Sequence, residues 1–283
     1  MIRDRLGAGD RSSSSTASNA TVNGDPPAGP CKVCSAPTTP HVSTPEAAIG
    51  RSYTACTLCG LLELDGSVET PANTGAAKRH GSAKRPGREF AIALFAAELL
   101  GRSGLRTLTW RPGNSADGQR VARIPLIERY DIAIADGDEP RSAGADGVNV
   151  VGIEAIEHER YDLVIASEIL QLLDDPVEGF AQILRGANPS GLVVITTDLY
   201  DGSPVDKLRF HAAPEHHWFW TIDALSRVAR NEGFFVDVRL PEIAVHRNLV
   251  RKRFVYLSRD PETMQRVRTA FGAEIHAPSE MAE

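Results

Sequence analysis

Four cysteines stand in two pairs, "CKVC" at Cys31 and Cys34 and "CTLCG" at Cys56 and Cys59, and the chain has no others. Each pair keeps the two-residue gap of a knuckle, and two knuckles separated by 21 residues wrap four thiolates round one tetrahedral ion. Two disulfides or four free thiols are the alternatives; a cytoplasmic setting opposes disulfides, and clustered thiols favour Zn2+. A site closed by four thiolates leaves no position for a water nucleophile, so the expected role of the metal is structural. His41 enters this set only by displacing a cysteine and is left out. A second concentration of reactive side chains is "FHAAPEHHWFW", with His211, His216, His217, Trp218 and Trp220. A histidine titrating near neutrality takes a proton from a hydroxyl, an amine or an acidic carbon, and aromatic faces hold a cation or a sugar ring. His217 and then His216 are the candidate bases; the tryptophans suit packing against a sheet edge equally well.

These groups need a scaffold, and its pattern is regular. Short apolar runs rich in Val, Ile and aromatic residues recur as "RTLTW", "YDIAIAD", "VNVVG", "YDLVIAS", "GLVVITT", "FFVDVRL" and "KRFVYLS". Helical patterns precede or separate them: "FAIALFAAELLGRSG", "DGQRVARIPLIE", "DPVEGFAQILRGA" and "TIDALSRVARNEGF". The alternation predicts an α/β fold, a mainly parallel seven-stranded Rossmann-like sheet with helices on both faces, preceded by a small N-terminal zinc ribbon. Ligands of such a sheet bind beyond the carboxyl ends of its strands. The expected division is a mobile segment at 1–29 rich in Ser, Gly, Pro, Asp and Asn, a zinc ribbon at 30–68, a linker at 69–87, the main domain at 88–258 and a tail at 259–283.

The chain has 283 residues, 42% of them hydrophobic and 24% charged, enough to bury a sizeable core. Its formal net charge of −6 and the lack of a basic stripe interleaved with aromatics argue against nucleic acid as a partner. The one basic run, "RNLVRKR" at Arg247 to Arg253, reads as a solvated edge. Neither a signal-peptide core nor a membrane-length apolar run is present, so the expected location is the cytoplasm and no membrane partner is expected. Oligomeric state leaves no signature.

The segment "RYDLVIASEILQLLDDPVEGFAQILRGANPSGLVVITT" resembles the fourth and fifth strands of class I S-adenosylmethionine-dependent methyltransferases, and "PEHHWFWTIDALSRVARNEGFFV" is similar to that family's substrate-side loop, helix and sixth strand. The resemblance covers about residues 88–258 and implies S-adenosylmethionine as cofactor. A four-cysteine module ahead of such a domain resembles methyltransferases of sugar nucleotides and other small metabolites, implying a small-molecule acceptor. By position, the resemblance implies that Asp136 accepts from both ribose hydroxyls, with Asp138 two residues on as the fallback, that Glu154 meets the adenine amine, and that Ser167 and Glu168 line the pocket beside the sulfonium. In "RTLTWRPGNSADGQR" the family's acid and close-set glycines are replaced by Trp110 and "RPGNSADG"; Gly113, Asp117 and Gly118 are what remains to meet the methionine part, and Arg111 is an unfavourable cation there. Glutamine and leucine, Gln171 and Leu172, replace the family's common Glu-His pair. Two further readings stand beside the enzyme: a non-catalytic methyltransferase-like scaffold or regulatory partner with a degenerate cofactor loop, and a zinc-ribbon nucleic-acid-binding protein.

Overall fold

The computed structural model of the protein describes residues 29–41, 52–65, 87–110, 118–134, 146–203, 216–240 and 252–272. All but Gly29 of the expected mobile segment at 1–29, most of the linker, and the final eleven residues lie outside the described residues. Three short strands, β1 (Thr38–His41), β2 (Ser52–Cys56) and β3 (Leu62–Asp65), form an antiparallel meander carrying the cysteines. The main domain begins with helix α1 (Arg88–Leu100) and strand β4 (Leu105–Trp110), then α2 (Gly118–Ala122), β5 (Ile127–Ile134) and β6 (Val148–Gly152). It continues with β7 (Tyr161–Ser167), α3 (Pro176–Arg185), β8 (Ala187–Asp198), the two-residue β9 (Trp218–Phe219), α4 (Ile222–Asn231), β10 (Phe235–Arg239), β11 (Lys252–Ser258) and α5 (Pro261–Ala270).

Seven strands form one sheet in the order β10-β11-β8-β7-β4-β5-β6, parallel except for β11, which runs antiparallel to both neighbours. All seven apolar runs of the sequence are strands of this sheet. From β4 the chain steps outward through β5 to β6, then returns to place β7 on the other side of β4. Successive connections therefore leave the carboxyl ends of β4 and β7 in opposite directions, and a crevice opens between them.

Residues pointing to alternate faces of the strands build two apolar layers. One layer joins Leu105, Ile132, Ile165, Val194 and Tyr256 to α1 and to Val267 of α5; the other joins Leu108, Trp110, Val164 and Ile195 to α3 and α4. The second layer also takes in Cys31, Cys56, Cys59 and Leu61, so the cysteine module shares the domain's core. Helix α3 starts where Asp175 accepts from the backbone N–H groups of Val177 and Glu178, both at 2.9 Å, with Pro176 in its first turn.

Four expectations are corrected. The helical pattern "DGQRVARIPLIE" yields only five residues of helix, because Pro125 cannot continue it and Ile127 already belongs to β5. Pro189, Ser190 and Gly191, residue types that predict a turn ahead of "GLVVITT", are instead part of β8, which begins at Ala187. Helix α5, placed in the tail by sequence, packs Met264 and Val267 into the core, so the folded domain runs on past residue 258. Lys252, read as part of a solvated basic edge, is buried at the start of β11.

One charge in the sheet is fully buried. Asp131 on β5 accepts from Tyr161 Oη at 2.8 Å and Asn149 Nδ2 at 2.9 Å, and pairs with Arg129 at 2.8 Å. Burial, then the hydrogen bond to Asp131, pushes the Tyr161 phenol well above its usual pKa. Asp131→Ala should cost about 2–4 kcal/mol, since it strands a buried hydroxyl and removes the buried one of the two carboxylates that pair with the Arg129 guanidinium. Urea denaturation reads it: a loss under about 0.5 kcal/mol would show that the network contributes little.

Candidate functional site

The four cysteines form one cluster whose sulfur atoms all lie within 4.8 Å of one another. Cys31 and Cys59 Sγ are 3.6 Å apart, Cys34 and Cys56 Sγ 3.4 Å; a tetrahedron with Zn–S bonds of about 2.3 Å has edges of about 3.8 Å. Burial pushes the Cys31 thiol up to about 11 and the Cys59 thiol up as well. At Cys56 burial is outweighed by the backbone N–H groups of Cys59 and Leu58, which hold the thiol down at about 6. N–H groups directed at sulfur favour thiolate, the form that binds a metal, so the donor set fits a structural zinc ion. Purified protein should carry about one zinc per chain, and Cys56→Ser should lose it. Less than about 0.2 zinc per chain, with thiols reduced and no chelator present, would be incompatible with this site.

At the carboxyl edge of the large sheet, β7 ends in Ser167, and Glu168 follows it. Ser167 Oγ and Trp110 Nε1, the latter on the last residue of neighbouring β4, are buried and have no hydrogen-bond partner among the described residues. Buried polar atoms are nearly always paired, so two unpaired atoms at the switch point are what a bound ligand would answer. Trp110 itself is 2% exposed and packs in the core beneath this edge.

Glu168 has φ 55°, a left-handed conformation costing a non-glycine residue on the order of 1 kcal/mol or more. Its backbone N–H donates to Thr196 O at 2.7 Å, and its carboxylate accepts from Thr196 Oγ1 at 2.9 Å and from the buried Lys252 ammonium. Gln171, in the place of the family's histidine-bearing pair, donates to Glu168 O at 3.0 Å and accepts from Thr197 Oγ1. Gln171 O in turn accepts from His217 N at 2.9 Å, which ties the histidine segment to the end of β7. His216 is buried and His217 half-buried; Trp218 and Trp220 are core residues whose indoles donate to Leu173 O at 2.6 Å and Leu170 O at 3.0 Å. Packing is thus the role of both tryptophans.

Of the other residues expected at the cofactor, Gly113, Asp117 and Asp136 lie outside the described residues. Glu154 is exposed in the turn after β6, its carboxylate folded over Gly152. Gly118 opens α2 with its hydrogen toward the core: a Cβ there would meet Ile132, Tyr130 and Val148 at 3.6–3.7 Å. A valine at 118 would therefore press on the core, so its effect on binding would not report a ligand contact alone. Lys252 and Gln171 are the site residues that sequence reasoning missed. Both were legible in part: Lys252 shares the inward parity of Phe254 and Tyr256, and Gln171 lies three residues after the strand-end acid.

Residues 97–237 match the family model described as a methyltransferase domain. Over this span, just under half of its length, the chain carries a methyltransferase-like domain. Its fold is similar to that of an O-methyltransferase family protein from Burkholderia thailandensis, with TM-score 0.52 and 16% identity over 67% of this chain; the match spans 61% of that protein's length. Also similar, at TM-score 0.44 and 18% identity over 77% of this chain and 96% of the other, is the 1,6-didemethyltoxoflavin-N1-methyltransferase of Burkholderia thailandensis. An S-adenosylmethionine-dependent methyltransferase from Mesorhizobium loti matches at TM-score 0.42 and 17% identity over 59% of this chain and 95% of the other. No curated protein matches the chain. No helix of the methyltransferase domain or of the other described residues is long and apolar enough to cross a membrane.

The Glu168–Lys252 pair is testable without a ligand. Lys252→Met should destabilise by about 2–3 kcal/mol by leaving a carboxylate without its counter-charge, and adding Glu168→Gln should recover much of that. A double-mutant cycle with coupling below about 0.5 kcal/mol would mean the pair is not an energetic unit.

Proposed function

We propose that the chain is an S-adenosylmethionine-dependent methyltransferase acting on a small metabolite, a sugar nucleotide or natural-product intermediate being the acceptor class. The observation that carries this reading is the pair of buried, unpartnered polar atoms, Ser167 Oγ and Trp110 Nε1, at the switch point of the sheet. S-adenosylmethionine, when bound, supplies an electrophilic methyl group. The residues would do the rest by position. Ser167 and Glu168 line the pocket at the end of β7, Asp136 accepts from the ribose hydroxyls, Glu154 stands on the adenine side, and the backbone from Gly113 through Asp117 to Gly118 meets the methionine part. On the acceptor side His217, with His216 beside it, takes the proton that the acceptor loses, and alignment of the two reacting atoms supplies most of the acceleration.

Calorimetric titration with S-adenosylmethionine and its demethylated product tests the reading, with binding in the micromolar range as the expected outcome. Asp136→Ala should weaken that binding by about 1.5–3 kcal/mol, the scale of hydrogen bonds to a charged group, with little change in melting temperature. Parent-like affinity in this variant would remove Asp136 from the ribose.

A second reading, a methyltransferase-like scaffold without catalysis, is favoured by Trp110, which is packed into the core where the family carries an acid. Absence of both a heat of binding and a thermal shift at millimolar cofactor is the outcome that selects it.

A further inference from the structure

The cysteine module and the methyltransferase domain meet along one short segment. Strand β3 pairs antiparallel with β9, Leu62 opposite Phe219 and Glu63 opposite Trp218, so the module's meander becomes a four-stranded sheet whose last strand belongs to the other domain. His217 is gripped from both sides: its N–H donates to Gln171 O at 2.9 Å in the methyltransferase domain, and its carbonyl accepts from Leu64 N at 3.0 Å in the module. Lys32, between the first two cysteines, sets its ammonium 4.9 Å from the ring centre of Trp218. The last contact reaches the metal ligands themselves. Thr221 Oγ1 accepts from Ala224 N at 3.0 Å, capping α4, and donates to the carbonyl of Cys59 at 2.5 Å. Gly60 makes this approach: its φ of 70° suits glycine, and a Cβ there would lie 3.1 Å from Thr221 Cγ2.

We propose that the four-cysteine module is a metal-set clamp on residues 216–221: ion binding fixes the Cys59 carbonyl and β3, and these hold Thr221 and the His216-His217 segment on the acceptor side of the site. Thr221 is a positioning residue in this scheme. The cofactor side, built on β4, β7 and β8, needs no contact with the module for its hydrogen bonds, so the two halves of the site depend differently on the metal. The functional meaning of the clamp rests on the methyltransferase reading; its physical content does not.

Amide hydrogen exchange on the full chain, without cofactor, tests it. Stripping zinc with a chelator should speed exchange at residues 216–221 at least tenfold while β7 and β8 keep their protection. In the zinc-loaded protein Thr221→Ser should behave as the parent. Thr221→Asp, which retains the cap acceptor for α4 but has no proton to donate to Cys59, should loosen 216–221 and leave α4 protected. Unchanged exchange at 216–221 after zinc removal overturns the clamp, as does loss of protection throughout the large sheet, since the metal would then hold the whole fold. Equal protection in Thr221→Asp and the parent overturns the part given to Thr221. Titration of the zinc-stripped protein with the demethylated cofactor should give an affinity within threefold of the loaded protein. A tenfold or greater loss contradicts the separate halves, and a failure of both forms to bind counts against the methyltransferase reading while the exchange results still decide the clamp.

Discussion

A parallel sheet wound from its middle in both directions has one position where adjacent strands send their connections apart, and no backbone fills the space between them. Here that position lies between β4 and β7. The sheet's two faces are covered by apolar layers, leaving polar side chains few places to gather. Ser167, Glu168, Thr196 and Lys252 all belong to strand ends at or beside this edge. A left-handed glutamate is tolerable there because two hydrogen bonds to Thr196 and an ion pair determine its conformation from outside. Strain of that kind is an observation about a site; it does not by itself name a reaction.

The module obeys a different constraint. At about 40 residues a chain seldom buries enough surface to fold alone and needs a metal, disulfides or a partner surface. This one has a set of thiols placed to hold a metal, and it has a partner surface. Its thiols converge at metal-binding distances, and its buried cysteines and Leu61 enter the core layer of the methyltransferase domain. Describing it as a separate ribbon joined by a linker therefore misses the two-residue strand β9, which completes its sheet from the other side.

That miss shows where the sequence was informative. The seven strands were legible because each is a short run rich in Val, Ile and aromatic residues bounded by turn residues, and the cysteine cluster because thiol spacing has few other uses. Helix α2 was overestimated because apolar spacing in "DGQRVARIPLIE" continues past Pro125, and periodicity does not register a missing N–H. Trp218 and Phe219 carry no strand signal at two residues' length; pairing with β3 makes them a strand. Lys252 was hidden by its neighbours, since a run of basic residues reads as solvent-facing while the pleat sends alternate side chains inward. Long-range pairing is the common cause, and local pattern does not contain it.

The charge balance at the cofactor edge follows from these placements. A cofactor with an ammonium, a sulfonium and a carboxylate carries a net positive charge and is best met by an uncompensated acid. Glu168 does not provide one, because Lys252 matches its charge at contact distance. Trp110 does not either, occupying the strand end where the family's acid stands and reaching inward to the core. Glu154 is exposed beyond β6, where solvent screens it. Among the described residues, none of these three strand-end positions therefore offers the uncompensated acid that such a cofactor would call for. The described sheet edge presents shape and neutral hydrogen-bonding groups, Ser167 Oγ and Trp110 Nε1 among them, and its one acid is already matched by a lysine.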